Sequence, residues 1–238
     1  LITARTMAAS FENYKIFKLM IDNNIIRHTS SSPSEVLFFE DYSYYIDALI
    51  GLYEITFDEK YLKFADELTV FSNEKFKEES GFYRFSTNQE SLFADTLINL
   101  QDGVTPSANS VMNFNLFRLG HFNGNKEYLL HSKTMINNVS ETIKDRVTDH
   151  LLWLNNSHNY SQKFYEIAIS GNNAIGKAEE VMEEYLPNAL VAASKSESEL
   201  YLLKDRYFKD ETYIYVCVDN TCKFPVTKVS KALELMKD

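Results

Sequence analysis

Two short stretches of the chain carry the side chains best suited to chemistry. Glu40 and Asp41 stand directly before Tyr42, Tyr44 and Tyr45, and Asp102 lies shortly before Ser107 and Asn109. Cleavage of a glycosidic bond needs one acid to protonate the leaving oxygen and one base to activate water, and aromatic faces hold the pyranose rings. On that reading Asp41 and Asp102 are the catalytic pair, and Glu40, Tyr42, Tyr44, Tyr45, Ser107 and Asn109 bind substrate. The same residues also suit a purely structural part. Acidic side chains in a first helical turn favour the helix dipole, Asp102-Gly103 reads as a turn, Ser107 and Asn109 can satisfy free amides, and tyrosines at helical spacing pack.

Cys217 and Cys222 flank Asp219-Asn-Thr221, a turn expected after a strand from Tyr213 to Val218. Their C-x4-C spacing, with no histidine following, indicates neither a zinc knuckle nor a C-x2-C redox centre. They also suit two small residues packed beside a turn. His28, His121, His131, His150 and His158 are dispersed without ligand spacing, so each reads as structural or solvated and no metal site is expected. The chain has no phosphate-cradling glycine loop and no nucleophile elbow, and no cofactor is expected.

The elements that must position these residues show themselves as a repeat. At an offset of 67 residues Leu49 falls on Leu116, Leu52 on Leu119, Tyr61 on Tyr128, Leu62 on Leu129 and Asp58 on Asn125. Each copy pairs a mostly apolar helix (39 to about 57, and 106 to about 122) with an amphipathic one (58–76, and 125–144). The first kind is covered nearly all round, and the second has one wet face, as in the inner and outer helices of a ring. Asp58 and Asn125 are expected N-caps, as is Thr105 before Pro106 at the first helical position. Residues 81–87 read as a short strand between the copies, 1–9 as an inner helix in progress and 14–24 as its outer partner. After about residue 160 the pattern changes to strand 164–170, helix 174–185, strand 188–194 and strand 213–218.

The fold class is therefore mainly α: αα-hairpins of an incomplete (α/α)6 toroid over residues 1–159, with a small α/β segment over 160–238 packed on the same domain. Such a ring needs about six hairpins to close. The missing ones are expected upstream, and the inner-helix faces they would cover are expected to support self-association. Inner helices of such a ring run parallel, so the starts of helices 39–57 and 106–122 should face one mouth.

Composition limits the partners. The chain has 238 residues, 45% hydrophobic, with only 7 Gly and 4 Pro, enough to bury one sizeable core. A formal charge of −10 opposes capture of phosphates, so neither nucleic acid nor an anionic membrane is expected as a partner. No apolar run reaches the roughly 18 to 20 residues of a spanning helix, and residues 1–10 lack the pattern of a signal peptide. Two cysteines make no disulfide framework, which points to a reducing compartment, the cytoplasm.

Four motifs in order, Phe39-Glu-Asp-Tyr-Ser-Tyr-Tyr45, Leu52-Tyr-Glu-Ile-Thr56, Asp102-Gly-Val-Thr-Pro-Ser-Ala-Asn-Ser110 and Tyr215-Val-Cys-Val-Asp-Asn-Thr-Cys-Lys-Phe-Pro-Val226, resemble the spermatogenesis-associated protein 20-like family of thioredoxin-domain-containing proteins. The resemblance implies a thioredoxin-like domain N-terminal to a toroid similar to N-acylglucosamine 2-epimerases and six-hairpin glycosidases. This chain matches only the later part of that toroid. It departs from the family pattern at Glu40, where a second Asp is usual, and at Ala108, where Gly is usual. The implied function is a carbohydrate-active or carbohydrate-binding domain of glycosidase or epimerase type, with a saccharide as partner. The alternative is a non-catalytic scaffold serving the attached thioredoxin-like domain, with Cys217 and Cys222 as a dithiol that exchanges with it. An epimerase would use histidines, and none here is well placed for that.

Overall fold

The computed structural model describes residues 21–29, 36–87, 97–219 and 221–237. The expected helix over residues 1–9 lies outside them. Residues 21–24, expected to end an outer helix, instead belong to a hairpin of β1 (Ile21–Asp22) and β2 (Ile25–Ile26). Its two-residue turn places Asn23 and Asn24 at positive φ, a conformation that asparagine tolerates.

Among the described residues there are seven α-helices and a four-stranded mixed sheet. The chain forms two compact units, one within Leu1–Leu119 and Glu127–Ser157, the other within Gly120–Lys126 and His158–Asp238.

The first unit is built on αα-hairpins. Helix α1 (Phe39–Thr56) buries residues on every side, including Phe39, Tyr42, Ile46, Leu49, Ile50 and Tyr53, whereas α2 (Lys60–Phe76) buries one stripe, among it Leu62, Ala65, Leu68 and Phe76. Tyr42 stacks on Phe71 and Tyr45 meets Phe64 edge-on, so the two helices run antiparallel. Helix α3 (Ala108–Asn123) lies beside α1 in the same direction. Ser43 donates to the Ala108 carbonyl at 2.7 Å, Asn115 donates to the Ser43 carbonyl at 2.8 Å, and Arg118 pairs with Asp47 and Glu54. Helix α4 (Lys126–Asp145) bonds back to α3 through Asn113 and Ser132, and α5 (Leu151–Ser161) through Asn156 to Asn113 and the Ser110 carbonyl. These buried amides fix register, because each would leave a polar group unpaired if its helix slid by one residue.

The two copies end their first helices alike. Phe57 and Gly124, 67 residues apart, both take left-handed φ (56° and 63°), and Phe57 N–H bonds the Tyr53 carbonyl while Asn125 N–H bonds the Gly120 carbonyl. Gly124 also needs its missing side chain, since a Cβ there would lie 2.5 Å from the Tyr201 ring. The N-cap of α3 is Ser107, whose hydroxyl accepts from Ser110 N–H at 3.1 Å, not Thr105. Residues 81–87 form isolated bridges, Lys77 with Tyr83 and Phe38 with Ser86, in place of a regular strand.

His131 on α4 donates from Nε2 to the Gly81 carbonyl at 2.7 Å and lies beside Tyr83. Burial pushes its pKa below the ordinary 6.5, against the opposing pull of the Gly81 bond. The unfolded chain therefore binds the proton first, and stability is lost as pH falls through 6.5 toward the folded value. Denaturant unfolding followed from neutral to mildly acidic pH should show this loss, and His131→Gln, which keeps a donor without titrating, should flatten it. A wild-type curve level through that window would contradict the assignment.

In the second unit β3 (Tyr165–Ser170) is the buried central strand. It pairs parallel with β4 (Ala189–Ser194) through the crossover helix α6 (Ala174–Met182), and antiparallel with β5 (Tyr213–Val218), which continues into β6 (Thr221–Cys222). Helix α7 (Val229–Leu235) follows, and the Tyr165 hydroxyl donates to the Met236 carbonyl at its end. No helix among the described residues is long and apolar enough to cross a membrane.

Candidate functional site

The parallel starts of α1 and α3 share a cleft of about 240 Å³ in the first unit. From α1 come Phe39, Glu40 and Tyr44; from the 83–85 ribbon Tyr83 and Phe85; from the loop before α3 Asn99, Gln101 and residues 103–107; and from α3 itself Ala108 and Asn109. Helical geometry selects the α1 members. Glu40 and Tyr44 are one turn apart on one face, whereas Asp41 and Tyr45 lie about 100° further round.

Glu40 is therefore the carboxylate of the cleft. Its helix start is tied down by the ribbon, with Phe39 N–H bonded to the Phe85 carbonyl at 2.9 Å and Thr87 N–H to the Leu37 carbonyl at 3.0 Å. Tyr44 donates its hydroxyl to the Pro106 carbonyl. Burial raises its pKa, and the charges of Glu40, Asp102 and Asp47 add to the effect, so the phenol stays protonated and a donor. Phe39 stacks flat on Tyr83 at 4.4 Å, forming the inner wall, and the fully exposed Val104 stands at the rim.

The other residues singled out in the sequence lie as follows. Asp41 holds both carboxylate oxygens 3.1 Å from His28 Nδ1. Burial raises its pKa and His28 opposes the rise. Asp102 uses Oδ1 to accept from Ser107 N–H (2.8 Å) and the Ser110 hydroxyl (2.6 Å), and Oδ2 to accept from Leu152 N–H (2.8 Å). It thus ties the start of α5 to the start of α3. Neither Asp41 nor Asp102 lines the cleft. Tyr42 is fully buried, its hydroxyl donating to the Asn24 carbonyl and accepting from Ile26 N–H, and burial pushes its pKa up to about 12. Tyr45 packs on Phe64. Ser107 and Asn109 do line the cleft. Asn109, however, spends its amide on both backbone groups of Tyr83 and on the Asn99 carbonyl. Glu40, Tyr44, Ser107 and Asn109 are thereby brought together. Phe85, Asn99 and Gln101 were not singled out, and Thr105 was read only as a cap, because they sit on loops whose course no periodicity reveals.

Cys217 and Cys222 face each other across β5 and β6 and are joined as a disulfide. Among the described residues no group of three or more His, Cys, Asp or Glu side chains is placed to hold a metal ion.

No family model matches the chain. It is 26% identical to human spermatogenesis-associated protein 20 over 221 residues, 87% of this chain and 28% of that protein. Against the mouse protein of the same name it is 24% identical over 220 residues, and against the rat protein 25% over 221. The chain thus spans under a third of the length of the curated relatives it matches.

Proposed function

We propose that the first unit is a carbohydrate-binding part of a longer toroid, and that its cleft takes a single sugar unit. The observation that carries this reading is the composition of the cleft: one carboxylate, Glu40, beside the Tyr44 phenol, the exposed Gln101 and Asn99 amides and the part-exposed Phe85 ring, over a floor of buried Phe39 and Tyr83. Hydroxyl-rich rings are held by such a mix of polar groups and flat apolar faces. A volume near 240 Å³ falls below the roughly 300–1,000 Å³ of pockets for drug-sized ligands, which suits one ring and not a chain. With a single carboxylate lining the cleft, binding is better supported than two-carboxylate hydrolysis.

The test is a screen of neutral and amino sugars by ligand-observed NMR, followed by the same screen on Glu40→Gln and Tyr44→Phe. One sugar class should bind at millimolar strength, and Glu40→Gln should weaken it about tenfold, the cost of one charge-assisted hydrogen bond. If no sugar binds, or if both variants bind as the wild type does, the cleft is not a sugar site and the scaffold reading takes its place.

A further inference from the structure

We infer that the second unit carries a thiol–disulfide exchange site, in which the Cys217–Cys222 disulfide is opened by an external dithiol at Cys222 and the departing Cys217 sulfur is stabilised by Arg206. The inference is independent of the sugar-cleft reading, because every residue in it lies on the sheet and its covering segments in the other unit.

The alternation of strand side chains places the groups. Residues 166, 168 and 170 of β3 share one face with their β5 partners 217, 215 and 213. The opposite face carries Tyr165, whose hydroxyl reaches the end of α7. On the first face the Arg206 guanidinium lies 3.6 Å from Cys217 Sγ and 3.3 Å from Cys222 Sγ, and 4.8 Å over the Tyr215 ring. That positive charge is held in place by an aromatic face.

The two sulfurs differ in access. Cys217 is 1% exposed, whereas Cys222 is exposed on the short edge strand. An incoming thiolate therefore reaches Cys222 first. The buried leaving sulfur would be costly to ionise alone, and a guanidinium beside it offsets that cost.

Directly opposite Cys217 in the ladder stands Glu166, itself 1% exposed. Its Oε1 bonds His121 Nδ1 at 2.7 Å, and its Oε2 is buried without a hydrogen-bond partner among the described residues. A carboxyl buried in a central strand and half-satisfied is costly, and the ladder sets Glu166 on the same face as Cys217.

The exchange balances as follows. One thiolate of the dithiol forms a bond to Cys222 Sγ, the Cys217–Cys222 bond breaks, and its electron pair leaves on Cys217 Sγ. The second thiolate then attacks the dithiol's own sulfur in that mixed disulfide and expels Cys222 as a thiolate. The dithiol is oxidised to its disulfide, having released two protons to water. Cys222 and Cys217 each take one proton back from water.

The experiment treats the native chain with reduced glutathione, traps free thiols with iodoacetamide and locates both adducts by mass spectrometry. Glutathione should be found on Cys222 and the alkyl group on Cys217. Reduction by dithiothreitol should be reversible, with unchanged far-ultraviolet circular dichroism. Arg206→Gln should slow reduction about tenfold, the effect expected from raising the leaving thiol by about one to two pK units, while Arg206→Lys keeps most of the rate. Glutathione on Cys217, a disulfide that yields only when the protein is unfolded, or an unchanged rate in Arg206→Gln would each overturn the assignment. Because adduct location is read on the wild type, a variant that fails to fold does not remove the test.

Discussion

Asp102→Ala should lower the free energy of unfolding by about 3 kcal/mol, since hydrogen bonds to a charged group contribute roughly 1.5–3 kcal/mol each and partial exposure discounts the sum. The side chain accepts from Ser107 N–H and the Ser110 hydroxyl at the start of α3, and from Leu152 N–H at the start of α5. Without it two helix starts lose their shared acceptor, and the loop forming one wall of the cleft loses its anchor. Asp102→Asn should cost nearly as much, because its amide turns one acceptor into a donor that faces another N–H. Urea unfolding monitored by the single tryptophan, Trp153, measures both. Were stability unchanged while a saccharide turnover disappeared, Asp102 would return to the catalytic role that the sequence suggests for it.

Arg118→Met should be as damaging, by roughly 3 kcal/mol, the usual cost of removing one partner from a buried ion pair. The guanidinium is only 7% exposed. It is held between α1 and α3 by Asp47, by Glu54 at 3.5 Å and by Asn115 Oδ1 at 2.9 Å, and it stacks 4.4 Å over Phe114. Burial already raises the pKa of Glu54 above 4.5, Arg118 opposes that rise and Asp47 adds to it. In the variant the opposing charge is gone, so Glu54 rises further. A folded pKa above the unfolded one means the folded state holds the proton longer, and stability then falls as pH rises through 4.5. The penalty should accordingly be larger at neutral pH than below 4.5, as unfolding at the two conditions would show. An equal penalty at both would mean that Arg118 acts by packing alone.

Much of the first unit was legible because its periodicities are local. The 67-residue repeat located both hairpins, and the helices begin and end within two residues of the positions read from it. Strands β3, β4 and β5 and helix α6 were legible as elements for the same reason, although their pairing was not. Helices α5 and α7 were not. Leu151–Ser161 mixes Asn, His and Ser with its apolar residues, and its place is set by Asn156 and Trp153 reaching other segments. The hairpin at residues 21–26 was missed because two asparagines at positive φ, and not hydrophobic spacing, decide it.

The site separates more sharply. That acids, tyrosines and small polar residues cluster at the starts of two parallel helices is determined by the sequence alone, since it follows from the repeat and from residue order. Which carboxylate enters the cleft was decided by tertiary structure. Glu40 and Asp41 are adjacent in the chain, yet one helical step of about 100° sends the first to the cleft and the second to His28. Asp102 is as acidic as either, but its oxygens meet three donors supplied by residues up to 50 positions away. The same holds for Cys217, Arg206, Glu166 and His121, which span 96 residues in sequence, 217 less 121, and meet only because β3 and β5 pair in one register. Sequence sets which chemical groups a chain owns, whereas their neighbours are chosen by packing and strand pairing between distant segments.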